Sequence, residues 1–391
     1  MKPLALLFLS TPVGPLGSGL GGGVELTVIN LARAMVALGH RVTIVSPAAV
    51  KAAPLRFENL EHSAIDIVQV PGTWQVTAQT QQRDCPVTVG TALANAWEYA
   101  RQTQARYDLL VNFAYDWLPY YLTPFLMRPV AHFVSMGSLS DRMDTVIAQV
   151  VAQFPGTVGA YTQAQVQTFK GLLEDSSEGV FQTPASQWKI LGSAVDIAQY
   201  SYCQQPDNFV AWVGRISPEK GLEDAIAATQ AADIPLKIFG KLENPTYWEK
   251  CQQQIDRAAT NISVEYVGFL STADLQRQLR RARALLMTPQ WTEAFGIVAI
   301  EALACGVPVI AYRCGGPAEI VRSGQTGWLV EPGNIGQLVD AITKVDSIDR
   351  WACRQQAETH YALPAWGERF ERWFYNVVSG VVSSSGASGS M

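Results

Sequence analysis

The stretch TPQWTEAFGIVAIEALACGVPVIAYRCGGPAEIVR, residues 288–322, reads as loop, helix, strand, loop and helix in turn. Phe295 and Gly296 turn the chain into a helix, on which Ile297, Ile300, Leu303 and Ala304 recur at helical spacing. Gly306 suits the end of that helix, and Val307, Pro308, Val309, Ile310 and Ala311 read as a short buried strand. Gly315 and Gly316 open the next helix, with Pro317 in its first turn.

Seven residues separate Glu293 from Glu301. A helix start presents free N–H groups and a partial positive charge, so it suits a phosphate. Glu293 lies just before that start and Glu301 two turns further in. Both carboxylates accept hydrogen bonds from hydroxyls, and a diphosphate flanked by hydroxyl groups describes a nucleotide sugar. Taken alone, the pair reads as two solvated glutamates beside an ordinary buried helix; the neighbouring stretches change that.

Upstream, Phe209–Val213 is an apolar strand followed by Gly214, Arg215, Ile216, Ser217, Pro218, Glu219, Lys220 and Gly221. Ser217 suits a helix cap and Pro218 its first turn. Arg215 and Lys220 lie on either side of that turn and are expected to converge on one anion.

These strings, VGRISPEKG and the two glutamates, resemble the signatures of retaining glycosyltransferases with the GT-B architecture, family 4 in particular. The resemblance implies two Rossmann-like α/β domains with doubly wound parallel sheets, facing across a cleft. It assigns Glu293 and the backbone of Ala294, Phe295, Gly296 and Ile297 to the donor sugar and phosphates, Glu301 to the ribose, and Arg215 and Lys220 to the diphosphate. It also places Lys241 and Gly268, at the ends of two further strands, around the nucleotide base. No Asp-x-Asp occurs, so no metal is expected, and no cofactor beyond the nucleotide sugar, UDP-glucose by family frequency.

At 391 residues the chain suits two domains. With 48% hydrophobic and 16% charged residues it is globular rather than disordered. A net charge of −5 argues against nonspecific nucleic-acid binding, which needs a basic stripe. The six cysteines, Cys85, Cys203, Cys251, Cys305, Cys314 and Cys353, form no Cys-x-x-Cys and fit a reducing, cytoplasmic compartment. No apolar run reaches membrane-spanning length. Leu4–Leu9 is read as a buried strand rather than a signal core. Oligomeric state is not legible.

After that strand comes GPLGSGLGGG, residues 14–23, then a helix striped by Val24, Val28, Leu31, Met35 and Leu38, and a second strand at Val42–Val45. Glycines allow close backbone approach to a ligand. By resemblance, Gly21, Gly22 and Gly23 match the Gly-Gly that family 4 enzymes place near the donor phosphate.

Strands at Tyr107–Val111 and Pro129–Val134 are followed by Tyr115, Asp116 and Trp117 and by Ser135. Ligands of open parallel sheets sit beyond such strand ends, so Tyr115, Asp116 and Ser135 are candidate acceptor contacts. The family commonly has His-Asp-Trp where this chain has Tyr115-Asp116-Trp117, and a histidine where it has Ser135. His132 lies within the strand and reads as a core or lining histidine. Trp74, Trp97, Trp117, Tyr120 and Tyr121 add aromatic surface that suits a flat acceptor.

The first domain is expected over 1–195, joined by a terminal helix at 364–378 bearing Trp366, Phe370, Trp373, Phe374 and Val377. The second is expected over 196–363, and residues 379–391 as a flexible Gly/Ser-rich tail. Residues 10–25 look similar to cyanobacterial UDP-glucose:tetrahydrobiopterin glucosyltransferases, which implies a reduced pterin as the small-molecule acceptor. A lipid, polysaccharide or other metabolite remains the alternative, as do a low-turnover nucleotide-sugar-binding protein, an epimerase and a hydrolase.

Overall fold

The computed structural model describes residues 2–49, 64–75, 90–169, 187–257 and 262–380. Cys85 and residues 381–391 of the expected tail lie outside the described residues. The chain divides into two compact units, 1–192 with 364–391 and 193–363.

The first unit holds seven strands among its described residues: β1 (Ala5–Leu9), β2 (Arg41–Pro47), β3 (Ile65–Val70), β4 (Leu109–Asn112), β5 (Val130–Val134), β6 (Val158–Ala160) and β7 (Lys189–Ile190). They pair in parallel in the order β3-β2-β1-β4-β5-β6-β7. Every residue of β1, β4 and β5 is buried, as expected for strands covered on both faces.

Helix Gly23–Ala37 follows β1, and Asp116 and Ser140 cap the helices Trp117–Leu122 and Asp141–Gln153. Helix Leu363–Ser379 turns its aromatic stripe inward, and from residue 364 it belongs to this unit. Phe370 lies 5.3 Å from Phe133 and Phe374 lies 6.2 Å from Phe8, centroid to centroid. The Trp366 and Trp373 indole N–H groups donate to the Gly192 and Gly156 carbonyls. Burial of each such ring stabilises by roughly 2–3 kcal/mol, enough to hold the helix in place.

The second unit holds six strands among its described residues: β8 (Val210–Val213), β9 (Leu236–Phe239), β10 (Val264–Gly268), β11 (Ala284–Met287), β12 (Val309–Tyr312) and β13 (Gly327–Val330). The order is β10-β9-β8-β11-β12-β13, again parallel throughout. Residues 324–326 form a turn that feeds β13 parallel to β12. In both sheets the order reverses beside the first strand, at β1/β4 and at β8/β11. Such a reversal opens a crevice at the strands' carboxyl ends, where open α/β sheets bind ligands.

Candidate functional site

In the second unit the crevice lies between the segments that follow β8 and β11. The β8 segment differs from the helix expected to begin at Pro218. Pro218–Lys220 is a single 3-10 turn, and the α-helix Leu222–Ala231 starts only after Gly221 at φ 62°. That left-handed conformation breaks the helical run and is one glycine adopts without strain. Ser217 makes no side-chain cap, because its hydroxyl donates to a Glu219 carboxylate oxygen at 2.7 Å.

Two bonds stitch this turn to the β11 segment. The Thr288 hydroxyl donates to the Gly221 carbonyl at 2.6 Å, and Gln290 N–H donates to the Glu219 carbonyl at 2.9 Å. The stitching brings Lys220 to Glu293, with Nζ donating to Oε2 at 2.5 Å. The Trp291 indole N–H donates to the same oxygen at 3.3 Å, and Lys220 Nζ lies 5.0 Å from the Trp291 ring centroid. Gly316 N–H donates to the Glu293 carbonyl at 2.7 Å, so the loop after β12 fixes the main chain that carries this carboxylate.

Arg215 and Lys220 each pair with carboxylates of the chain itself. The Arg215 guanidinium divides between Glu243 and Glu219, while Lys220 goes to Glu293. Lys241 is exposed, but its carbonyl accepts from Ile216 N–H at 2.8 Å, which places it beside the Arg215 segment. Gly240 N–H donates to the Gly268 carbonyl at 2.9 Å and joins the ends of β9 and β10.

Ala294 and Phe295 are buried, and helix Ile297–Ala304 starts at Gly296. Glu301, 7% exposed, sits on that helix and accepts from the Tyr200 hydroxyl at 2.8 Å. Burial raises its carboxyl from 4.5 to about 7, against the opposing effect of the Tyr200 bond. Nothing in the sequence announced Tyr200 or Glu243 as partners, because each meets its site residue through the fold.

In the first unit, Gly22 and Gly23 are exposed where helix Gly23–Ala37 begins. Asp116 caps helix Trp117–Leu122, accepting from Leu118 N–H at 3.0 Å and from the Gln75 side-chain amide at 3.1 Å. Burial, its largest influence, raises its carboxyl above the ordinary value. The Tyr115 hydroxyl accepts from Leu139 N–H at 3.3 Å and thereby links the segments after β4 and β5, and Ser135 is buried beside them.

His132 is fully buried in β5. It is hydrogen-bonded to Thr123 at 2.8 Å and to Asn112 at 3.2 Å, stacked on Tyr120 at 4.3 Å, and pushed by burial down to about 3. It is a neutral core histidine.

Replacing Asp116 with alanine is expected to cost about 1 kcal/mol through loss of the helix cap, whereas asparagine keeps most of that stability. Denaturant midpoints of the two variants check this.

Among the described residues no cluster of His, Cys, Asp and Glu is arranged to hold a metal, and no helix is long and apolar enough to cross a membrane. Cys203, Cys251, Cys305, Cys314 and Cys353 are free thiols.

Residues 202–359 match the family model of glycosyl transferases group 1. Across 95–97% of the chain the structure resembles Anabaena HepE solved with UDP, with UDP and glucose and with UDP-glucose. In the UDP-glucose complex 97% of this chain and 100% of that one align, with a TM-score of 0.73 and 21% identity. The fold is GT-B. An uncharacterized glycosyltransferase of Methanocaldococcus jannaschii is 24% identical over 172 residues, 39% of this chain and 43% of that protein. A GDP-mannose-dependent phosphatidylinositol dimannoside mannosyltransferase of Mycobacterium tuberculosis is 30% identical over 103 residues, 26% of each. The chain thus aligns with less than half the length of these curated relatives. In GT-B terms, the second unit carries the group 1 match, and Lys220, Glu293 and Glu301 all fall within it.

Proposed function

We propose that the chain is a retaining glycosyltransferase that moves glucose from UDP-glucose to a small acceptor, a reduced pterin such as tetrahydrobiopterin. The observation that carries the reading is the Lys220–Glu293 pair at the β8/β11 reversal. It places a cation, a carboxylate and the start of helix Ile297–Ala304 in one crevice of the sheet.

In this reading Lys220 leaves Glu293 for the leaving diphosphate and, with Arg215, neutralises the charge that grows there as the sugar–phosphate bond breaks. The released Glu293 accepts hydrogen bonds from sugar hydroxyls. Main-chain groups of Ala294, Phe295, Gly296 and Ile297 bind sugar and phosphate, and the helix start adds partial positive charge. Glu301 accepts from the ribose, and the β9 and β10 ends at Lys241 and Gly268 border the base.

Gly22 and Gly23 of the first unit offer main chain to a phosphate, and the segments around Tyr115, Asp116 and Ser135 border the acceptor. The acceptor hydroxyl attacks from the leaving-group side, and a diphosphate oxygen takes its proton. No metal takes part, and the protein works in the cytoplasm.

The test measures UDP release from several nucleotide sugars, with and without reduced pterin and with EDTA, for the native chain and Glu293→Gln. Pterin-dependent, EDTA-resistant release that falls at least about 100-fold in the variant supports the reading. Pterin-independent release points to hydrolysis or another acceptor. An isomerised donor points to an epimerase. Donor binding without release marks a binding protein. Loss of release on chelation overturns the metal-free mechanism.

A further inference from the structure

The glycine-rich loop after β1 is already wrapped around an anion of the protein's own. Glu25 is 3% exposed. Its Oε2 accepts from Gly17 N–H at 2.9 Å and Gly19 N–H at 3.2 Å. Its Oε1 accepts from Gly21 N–H at 2.5 Å and from the Ser18 hydroxyl at 3.3 Å. Alternate residues of the loop thus turn their amides onto one carboxylate, the arrangement by which main chain cradles an anion. Among the described residues no basic side chain pairs with Glu25, so these donors stand in for a counter-cation.

Close packing makes the arrangement specific. A Cβ at Gly21 would lie 2.6 Å from Thr11 Cγ2 and 2.9 Å from Glu25 Cγ. The amides of Gly17, Gly19 and Gly21 are committed inward, while Gly22 and Gly23 stay exposed.

We propose that Glu25 is a positioning residue of the donor-phosphate loop: its carboxylate is the internal anion around which residues 17–21 fold, and this leaves the main chain of Gly22 and Gly23 as the ligand-facing part. The folding role stands on the contacts above. The donor role rests on the glycosyltransferase reading.

The experiment combines hydrogen exchange of the full-length chain with UDP binding, for the native protein, Glu25→Gln, Glu25→Ala and Gly21→Ala. Glutamine keeps the volume but offers one acceptor oxygen, and its amide N–H groups oppose those of the loop. Exchange across 14–23 is expected to quicken roughly 10-fold or more in all three variants, while peptides from β8–β13 stay protected. Acetate added to Glu25→Ala restores part of the protection, and UDP binds about 10-fold more weakly to each variant.

Unchanged exchange in Glu25→Gln overturns the proposal, since the carboxylate would then serve only as packing. Faster exchange with unchanged UDP affinity overturns the donor role. If the native chain binds no UDP, the donor reading fails, and exchange alone decides whether Glu25 anchors the loop.

Discussion

Lys220→Ala is expected to lower kcat/KM for the donor by roughly 100- to 1,000-fold, the cost of removing one positioned donor from developing negative charge. The ammonium is 20% exposed and Glu293 is 15% exposed, so the pair works in a partly water-excluded crevice where one charge acts strongly. Stability changes far less. Glu293 keeps the Trp291 indole N–H, and its main chain stays held by Gly316. Lys220→Arg restores the rate only in part, because the longer guanidinium carries the charge but not the compact ammonium's position beside Glu293. Steady-state UDP release and melting curves on the same preparations separate the two effects. A variant that turns over within 10-fold of the native chain while melting several degrees lower would reduce Lys220 to a structural ion pair.

The second large effect is in pH. The Glu301 carboxyl is raised from 4.5 to about 7, so the folded chain binds this proton more tightly than the unfolded chain does. The stability it contributes is complete below the unfolded value and is lost as pH rises through about 7, a swing of roughly 3 kcal/mol. Glu301→Gln has no proton to lose and is expected to remove that slope, melting above the native chain at pH 8. UDP affinity should run the opposite way. Ribose hydroxyls donate to a carboxylate, so native affinity rises with pH across 6–8, while that of Glu301→Gln is weaker and flat. Calorimetric titration and melting at pH 5, 6.5 and 8 test both trends. If affinity and stability rise together in the native chain, Glu301 is not the ribose acceptor.

The two α/β sheets were legible because parallel strands buried on both faces leave continuous apolar runs, as in Leu4–Leu9 and Phe209–Val213. The glycines after them mark loops that a periodic pattern cannot cross. Lys220 meets Glu293 because the segments after β8 and β11 leave neighbouring strands, a pairing the two motifs did not announce. What the sequence hid were the partners supplied by distant segments. Glu243 reaches Arg215 because the segments after β8 and β9 run side by side, and Tyr200 reaches Glu301 across 101 positions of chain. The turn at Pro218–Lys220 was hidden for another reason. Serine followed by proline announces a helix start, but here the serine hydroxyl found a carboxylate first and Gly221 changed the backbone's hand. Asp116 shows a similar limit. A strand-end aspartate beside aromatics reads as a ligand contact, yet the same atoms are what a helix start requires.

The discontinuity of the first unit sets an order of events during synthesis. Phe8 and Phe133 emerge from the ribosome early, but Phe370 and Phe374, which cover them, are translated more than 200 residues after Phe133. Until then the nascent first sheet has an uncovered apolar face, whereas all of 193–363 is available to fold on its own contacts. The second unit is therefore the one able to finish first, and a nascent chain paused short of residue 364 is a natural client for a chaperone that recognises exposed aromatic surface.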